Sequence, residues 1–176
     1  MAYKILNKEM MYQSHIFTVS RVKVALPDQR VRSYDLIDIQ NAVTILPLDE
    51  NGNVYFVQQF RTGAGKSLLE LPAGKIEKGE EALVTAEREI REETGMAAKN
   101  MKPLGKFFVS PGYSTEYMYT FLATSLYEAP LDPDVDEFLN LVKIPLSEVM
   151  YMLHTGEIED AKTLATIMLA SPYLKP

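Results

Sequence analysis

The stretch Gly74–Met96 constrains the fold of this chain more than any other part of the sequence. Its apolar residues Leu83, Ala86 and Ile90 recur at the spacing that places side chains on one side of an α-helix. The stretch therefore predicts a helix with one buried stripe. Gly95 near its end tolerates a positive φ and is expected to terminate the helix.

Carboxylates lie at the edge of this expected buried stripe. At about 100° of rotation per residue, Glu89 and Glu93 are neighbours one turn apart, and Glu92 lies on the other side of Glu89. Two like charges at this spacing destabilise a helix by roughly 0.2–0.5 kcal/mol unless something compensates them. A hard divalent cation, which takes oxygen ligands, is the expected compensation. From the charge pattern alone, a solvated surface helix is the alternative.

The full pattern of this stretch resembles the Nudix box of the Nudix hydrolases. Gly74 is followed after five residues by Glu80, and after seven more by the run Arg88–Met96, which reads REIREETGM. The resemblance implies an enzyme that uses Mg²⁺, with Mn²⁺ as a substitute, to hydrolyse a diphosphate linkage. The metal ligands that it implies are the backbone carbonyl of Ala73 and the carboxylates of Glu89, Glu92 and Glu93.

Three residues are expected to serve catalysis. Arg88 offers a bidentate fork that would position the carboxylates, and Glu92 shares their cluster. The run Asp134–Val142 resembles an acidic segment of the ADP-ribose pyrophosphatase group, which implies Glu137 as the catalytic base. A carboxylate there would take a proton from an activated water. The alternative for Glu137 is an acid at the start of a strand that faces solvent.

Further motifs resemble the Nudix enzymes that act on ADP-ribose and nucleoside-diphosphate sugars. Glu70–Gly74 reads ELPAG, like their E-x-P-A-G segment, and Pro111 lies in a stretch like their S-P-G-x-x-x-E. A Q-x-R pattern that ends at Arg61 implies that this arginine contacts the diphosphate. Glu70 is implied on the ribose or phosphate side of the substrate.

These resemblances imply hydrolysis of ADP-ribose or a related nucleoside-diphosphate sugar to a nucleoside monophosphate and a sugar phosphate. Two alternatives stay open. Tyr113 falls near the position where dinucleoside polyphosphate hydrolases carry a tyrosine, which would change the substrate. A non-catalytic Nudix-fold module that senses a nucleotide would keep the fold without the activity, although an intact box argues against it.

The order of the expected elements is strands, one helix, more strands and two closing helices, which predicts an α+β fold. The closing helices are expected over Leu146–Thr155, with Ser147 as its N-cap, and over Ile158–Ala170. The resemblance implies a Nudix α/β/α sandwich with a mixed β-sheet, and we assign it to residues 41–176. The start of the last helix also resembles that group, and we expect its role to be structural.

Residues 1–40 alternate in polarity around a turn at Pro27 and Asp28, which predicts an antiparallel β meander. This meander resembles the region that ADP-ribose pyrophosphatase-like enzymes use for dimerisation. The resemblance therefore implies a homodimer. Arg32, with Arg30 or Tyr12 as alternatives, is expected to contact the substrate of the partner subunit.

The composition limits the partners further. With 24 acidic and 18 basic residues the chain carries a net charge of −6, which makes a nucleic-acid polymer a poor partner. There is no cysteine for a disulfide or a thiolate. No apolar run is long enough to span a membrane, and the first residues lack the features of a secretory signal. We expect a cytoplasmic protein that acts on a small molecule.

Overall fold

The computed structural model describes residues 2–132 and 138–174. In these residues the chain forms ten β-strands, three α-helices and one turn of 3₁₀-helix at Ser171–Tyr173. The strands are β1 (Lys4–Gln13), β2 (Phe17–Ala25), β3 (Val31–Ile39), β4 (Ala42–Pro47), β5 (Asn53–Arg61), β6 (Lys66–Glu70), β7 (Ala73–Lys75), β8 (Met96–Phe108), β9 (Tyr117–Glu128) and β10 (Asn140–Pro145). The helices are α1 (Ala82–Thr94), α2 (Leu146–Thr155) and α3 (Ala161–Ala170). None of the helices in this part of the chain is long and apolar enough to cross a membrane.

One compact unit consists of Met1–Asn41 and Phe108–Tyr117. It contains an antiparallel sheet in the order β1-β2-β3, in which Phe17 lies opposite Ile39. All ten residues of β1 are exposed. The sheet confirms the antiparallel meander that the alternating polarity of these strands predicts.

The other compact unit consists of Ala42–Phe107 and Met118–Pro176. Its larger sheet has the order β7-β4-β9-β8, with β4 parallel to β9 and antiparallel to β7. A second sheet, β10-β5-β6, is antiparallel. The mixed sheet that the sequence predicts is therefore confirmed.

Strand β4 lies at the centre of the second unit, and all six of its residues are buried. Successive side chains of a strand point to opposite faces, so β4 is covered on both. On one face Val43 packs in a cluster with Ile90 of α1. On the other face Leu46 packs in a cluster with Ile167 and Ala170 of α3. This layering holds α1, the helix that carries the box carboxylates, against the sheet.

The predicted buried stripe of α1 is partly wrong. Ala86 and Ile90 are buried as expected, but Leu83 is 43% exposed. Leu83 lies in the first turn of the helix, and the buried face is centred instead on Thr85, Glu89 and their neighbours. The face that packs is therefore more polar than the apolar periodicity indicates.

The predicted starts of the two closing helices also need correction. Ser147 does not cap α2, because the helix begins at Leu146 and Pro145 occupies the N-cap position without a side-chain hydrogen bond. The last helix begins at Ala161 rather than Ile158. Asp160 accepts a hydrogen bond from the backbone N–H of Thr163 at 3.0 Å and so serves as its N-cap.

A buried hydroxyl on β4 gives a test of the packing. Thr44 Oγ1 is buried and has no hydrogen-bond partner within residues 2–132 and 138–174. Thr44→Val removes this unpaired polar group at nearly constant shape and should raise the free energy of unfolding by about 1 kcal/mol. Urea unfolding followed by circular dichroism measures the change.

Thr120 supplies the matched control, because it lies beside Thr44 in the register and is equally buried. Its hydroxyl donates to the Gly105 carbonyl at 3.0 Å. Thr120→Val should therefore lower the free energy of unfolding by about 1 kcal/mol. Equal destabilisation by both substitutions would show that Thr44 has a partner after all.

Candidate functional site

The box carboxylates of α1 lie on its buried face. Glu89 and Glu93 are only 7% and 8% exposed, and the Glu92 side chain is 17% exposed. Glutamates are seldom buried to this extent unless they are paired or bind a cation. A solvated surface helix therefore does not describe this side of α1.

The backbone of β7 holds two of these carboxylates. A Cβ atom added to Gly74 would lie 1.9 Å from both Cδ and Oε1 of Glu89, so the carboxylate occupies the space that any larger residue would fill. One residue earlier, the backbone N–H of Ala73 donates to Oε2 of Glu93 at 3.0 Å. Glycine is required at position 74 because the helix carboxylate approaches the strand backbone so closely.

Arg88 joins three carboxylates around α1. Its Nη1 donates to Oε1 of Glu89 and to Oε2 of Glu92, both at 2.7 Å. Its Nε and Nη2 donate to the two carboxylate oxygens of Glu80 at 3.2 Å, and Nη2 also reaches the Lys75 carbonyl at 3.3 Å. The guanidinium thus fixes the mutual positions of these side chains.

The pKa values of this cluster follow from the same contacts. The hydrogen bond from Arg88 lowers the pKa of Glu80 to about 2, against a smaller opposing effect of burial. Burial tends to lower the pKa of Arg88, but the hydrogen bonds and charges of Glu80, Glu89 and Glu92 outweigh it and raise that pKa above its ordinary value. Glu80 and Arg88 are therefore both charged at neutral pH.

This cluster has more negative than positive charge, since three carboxylates share one guanidinium. In the described part of the chain, no three His, Cys, Asp or Glu side chains already form a metal site, and Arg88 Nη1 bridges Glu89 and Glu92. The donor set nevertheless fits a hard divalent cation, which prefers oxygen ligands and would offset the excess charge. The residues that could hold it are Ala73, Glu89, Glu92 and Glu93.

A second charged group joins β5, β6 and α3. Glu70 is 1% exposed, and Arg61 donates to its two oxygens from Nε at 2.8 Å and from Nη2 at 2.6 Å. Lys162 donates to the same Oε2 and also pairs with Asp160 at 3.0 Å. Burial would raise the pKa of Glu70, but these two cations outweigh it and lower that pKa.

Arg61 lies close enough to α1 for the charge of Glu93 to raise its pKa. The hydrogen bond to Glu70 contributes most to raising the pKa of Arg61, and the charges of Glu93 and Asp160 add to it. The second unit therefore contains Arg61, Glu70 and the α1 carboxylates in one region. Sequence reasoning missed Lys162 as a member, because the resemblance at the start of α3 indicated only a structural role.

The chain at Ala129, before Glu137 in the sequence, contacts the end of α1. Arg91 Nε donates to the Ala129 carbonyl at 2.8 Å, and the Ala129 N–H donates to the Gly95 carbonyl at 3.0 Å. Gly95 has a φ of 72°, which confirms the expected helix end. Glu137 itself lies outside the described residues.

The two remaining predicted site residues, Arg32 and Pro111, belong to the first unit. Arg32 is an exposed residue of β3, opposite Val24 of β2. Pro111 is exposed in a turn where the Tyr113 N–H donates to the Ser110 carbonyl at 3.1 Å. Their roles stay predictions.

Known proteins resemble this chain over most of its length. A family model described as "NUDIX domain" matches residues 38–167. A protein named "ADP-ribose pyrophosphatase" from Bacillus subtilis (strain 168) is 33% identical over 93% of this chain and 90% of its own. A "Methanol dehydrogenase activator" from Bacillus methanolicus is 31% identical over the same shares. A solved structure described as "Crystal structure of ADP compounds hydrolase" superposes with a TM-score of 0.89 at 27% identity, covering 99% of this chain and 95% of the other.

The Glu80–Arg88 pair predicts a specific dependence of stability on pH. Because the pKa of Glu80 falls from 4.5 to about 2 on folding, its charge stabilises the fold above about pH 4.5, and this contribution is lost as the pH falls towards 2. Glu80→Gln should therefore lower the free energy of unfolding by roughly 1–2 kcal/mol at pH 7 and by much less at pH 2.5. Urea unfolding at both pH values measures the difference.

The matched control is Glu81→Gln, since Glu81 is the exposed next residue and its side chain has no ion pair among the residues that the structure describes. This substitution should change the free energy of unfolding by less than about 0.5 kcal/mol at either pH. An effect of Glu80→Gln that is the same at pH 7 and pH 2.5 would contradict the pairing.

Proposed function

We propose that this chain, which belongs to the family of NUDIX-domain proteins, hydrolyses the diphosphate linkage of ADP-ribose or a related nucleoside-diphosphate sugar. The products are a nucleoside monophosphate and a sugar phosphate. The observation that carries the proposal is the pair of buried carboxylates, Glu89 and Glu93, held between α1 and the backbone of β7. The name of the Bacillus subtilis relative, "ADP-ribose pyrophosphatase", supports this substrate class.

We infer that Glu89, Glu92, Glu93 and the carbonyl of Ala73 bind Mg²⁺, for which Mn²⁺ can substitute. The excess negative charge of the α1 cluster supports this inference. When bound, such ions neutralise phosphate charge and lower the pKa of a bound water. Arg88 orients Glu89 and Glu92, so that carboxylates which would otherwise repel each other keep a fixed arrangement.

The chain's own side chains would then bind and cleave the substrate as follows. Arg61, whose side chain is 41% exposed, binds the diphosphate, and Glu70 holds its guanidinium from the buried side. Hydrolysis joins the oxygen of one water to a phosphorus and breaks the bond from that phosphorus to the bridging oxygen. Glu137 accepts the proton of the attacking water. Pro111 is proposed as a further substrate contact.

We also propose that residues 1–40 mediate a homodimer and that Arg32 contacts the substrate held by the partner subunit. Every residue of β1 is exposed, including Ile5 and Met10, which are 69% and 62% exposed, and Tyr3 just before the strand is 71% exposed. An apolar surface of this kind commonly marks a protein interface. A second copy of the chain is its proposed partner.

Glu93→Gln tests the proposed site directly. With ADP-ribose and Mg²⁺, the substitution should lower kcat/KM by more than about 100-fold, because it removes a charged ligand from the cluster. Chromatographic quantification of AMP and ribose 5-phosphate measures the rate. The control is Glu87→Gln on the exposed side of α1, which should stay within about twofold of the unsubstituted protein. Full activity of Glu93→Gln would reject the metal assignment.

The same assay separates the alternative functions when it uses a panel of substrates. ADP-ribose, GDP-mannose, UDP-glucose and diadenosine polyphosphates each give distinct products. Cleavage of the diadenosine compounds alone would identify a dinucleoside polyphosphate hydrolase. Binding of a nucleotide without any cleavage would identify a sensor.

The dimer proposal predicts a mass of twice the chain mass of 19.9 kDa in solution. Light scattering after size-exclusion chromatography should show this mass for the unsubstituted protein. Ile5→Lys combined with Met10→Lys should give the monomer, because each lysine places a charge in the apolar interface. Met168→Lys on α3, at a residue that is 73% exposed, should leave the dimer intact. A monomeric unsubstituted protein, or a dimeric double variant, would contradict the proposal.

A further inference from the structure

Glu70 is a buried carboxylate that forms ion pairs with both Arg61 and Lys162. Its side chain is 1% exposed, whereas those of Lys162 and Arg61 are 13% and 41% exposed. Arg61 already occupies both carboxylate oxygens through its fork. Asp160 also pairs with Lys162, so two carboxylates match the two cations, and Glu70 is the carboxylate that both cations contact.

Lys162 is itself fixed by the first turn of α3. It pairs with Asp160 at 3.0 Å, and Asp160 accepts from the Thr163 hydroxyl at 2.6 Å. That hydroxyl in turn accepts the backbone N–H of Leu71 at 2.8 Å, next to Glu70 in the chain. Two contacts therefore join the start of α3 to the end of β6, and Lys162 has little freedom to leave Glu70.

Stability alone is a poor explanation for three charges at this place. Apolar residues of similar volume often replace a buried ion pair without loss of stability. The outward member of the group, Arg61, is the residue that remains accessible to a ligand, and it lies near the α1 carboxylates. The arrangement therefore fits a role in which the two inner residues hold the outer one.

We propose that Lys162 is a positioning residue for substrate binding, which acts through Glu70 to fix the guanidinium of Arg61 where it contacts the diphosphate. The inference rests on the proposed function, because it takes Arg61 as a diphosphate contact. Without Lys162, Glu70 loses one of its two partners and no longer holds the guanidinium in one position.

Lys162→Met, which keeps most of the side-chain volume, tests this role by binding and by kinetics. The dissociation constant of ADP-ribose, measured by calorimetry in EDTA so that no turnover occurs, should rise about tenfold, as should KM. The kcat should stay within about threefold. Lys162→Arg keeps the charge and should restore both constants to within about threefold. If Lys162→Met does not fold, Lys162→Gln takes its place.

Lys66→Met is the matched control. Lys66 is exposed, pairs with Glu159 just before α3 and lies opposite Arg61 in the register of β5 and β6. Its loss removes the same charge near Arg61 without touching Glu70, and it should leave the dissociation constant within about twofold. Equal effects of Lys66→Met and Lys162→Met would overturn the proposal in favour of a general effect of charge.

A double-mutant cycle shows whether Lys162 acts through Arg61. Arg61→Ala should weaken binding on its own, and adding Lys162→Met to it should change binding by less than about twofold, because the group being positioned is absent. Effects that multiply fully in the double variant would overturn the proposal.

A nuclear magnetic resonance measurement keeps the test independent of the proposed function. The Arg61 Nε–H signal, assigned by its loss in Arg61→Lys, should exchange with water faster in Lys162→Met and at an unchanged rate in Lys66→Met. An unsubstituted protein that neither binds nor cleaves ADP-ribose would refute the proposed function. An unchanged Arg61 exchange rate in Lys162→Met would refute the positioning role.

Discussion

The close packing of α1 on the backbone of β7 is the constraint on which the site depends. The carboxylate of Glu89 occupies the space beside Gly74 that a Cβ would fill, and the N–H of Ala73 binds Glu93. Both contacts place acidic side chains at the inner face of a helix, where their repulsion is screened little by water. Arg88 compensates part of that repulsion and leaves the cluster with an excess of negative charge.

The second unit thus contains two charged groups that differ in the residue at their centre. Around Arg88, three carboxylates share one cation; around Glu70, two cations share one carboxylate. A diphosphate that is bound together with divalent cations needs both kinds of surface, because the cations require carboxylates and the phosphate oxygens require an arginine.

Local patterns predict the parts of this structure that depend on neighbours in the chain. The periodicity of the box helix and Gly95 as its end are of this kind, since a helix is built from contacts between nearby residues. The rotation of α1 is different: Leu83 is exposed and Glu89 is buried because of where β7 lies. Likewise, the contact of Lys162 with Glu70 joins residues 92 positions apart, and no spacing in the sequence indicates it.

The short segment from Glu70 to Gly74 sets the separation of the two charged groups. Glu70 anchors Arg61, and Ala73, three residues later, binds Glu93; three residues span at most about 10 Å. The residues between them are held on both sides: the Leu71 N–H donates to Thr163 at 2.8 Å, and the Pro72 carbonyl accepts the Ile45 N–H at 2.9 Å. Because proline also fixes its own φ, this segment has little freedom to lengthen or to swing. The ELPAG motif therefore specifies a distance between an arginine and a set of carboxylates, in addition to the identities of the residues that bind them.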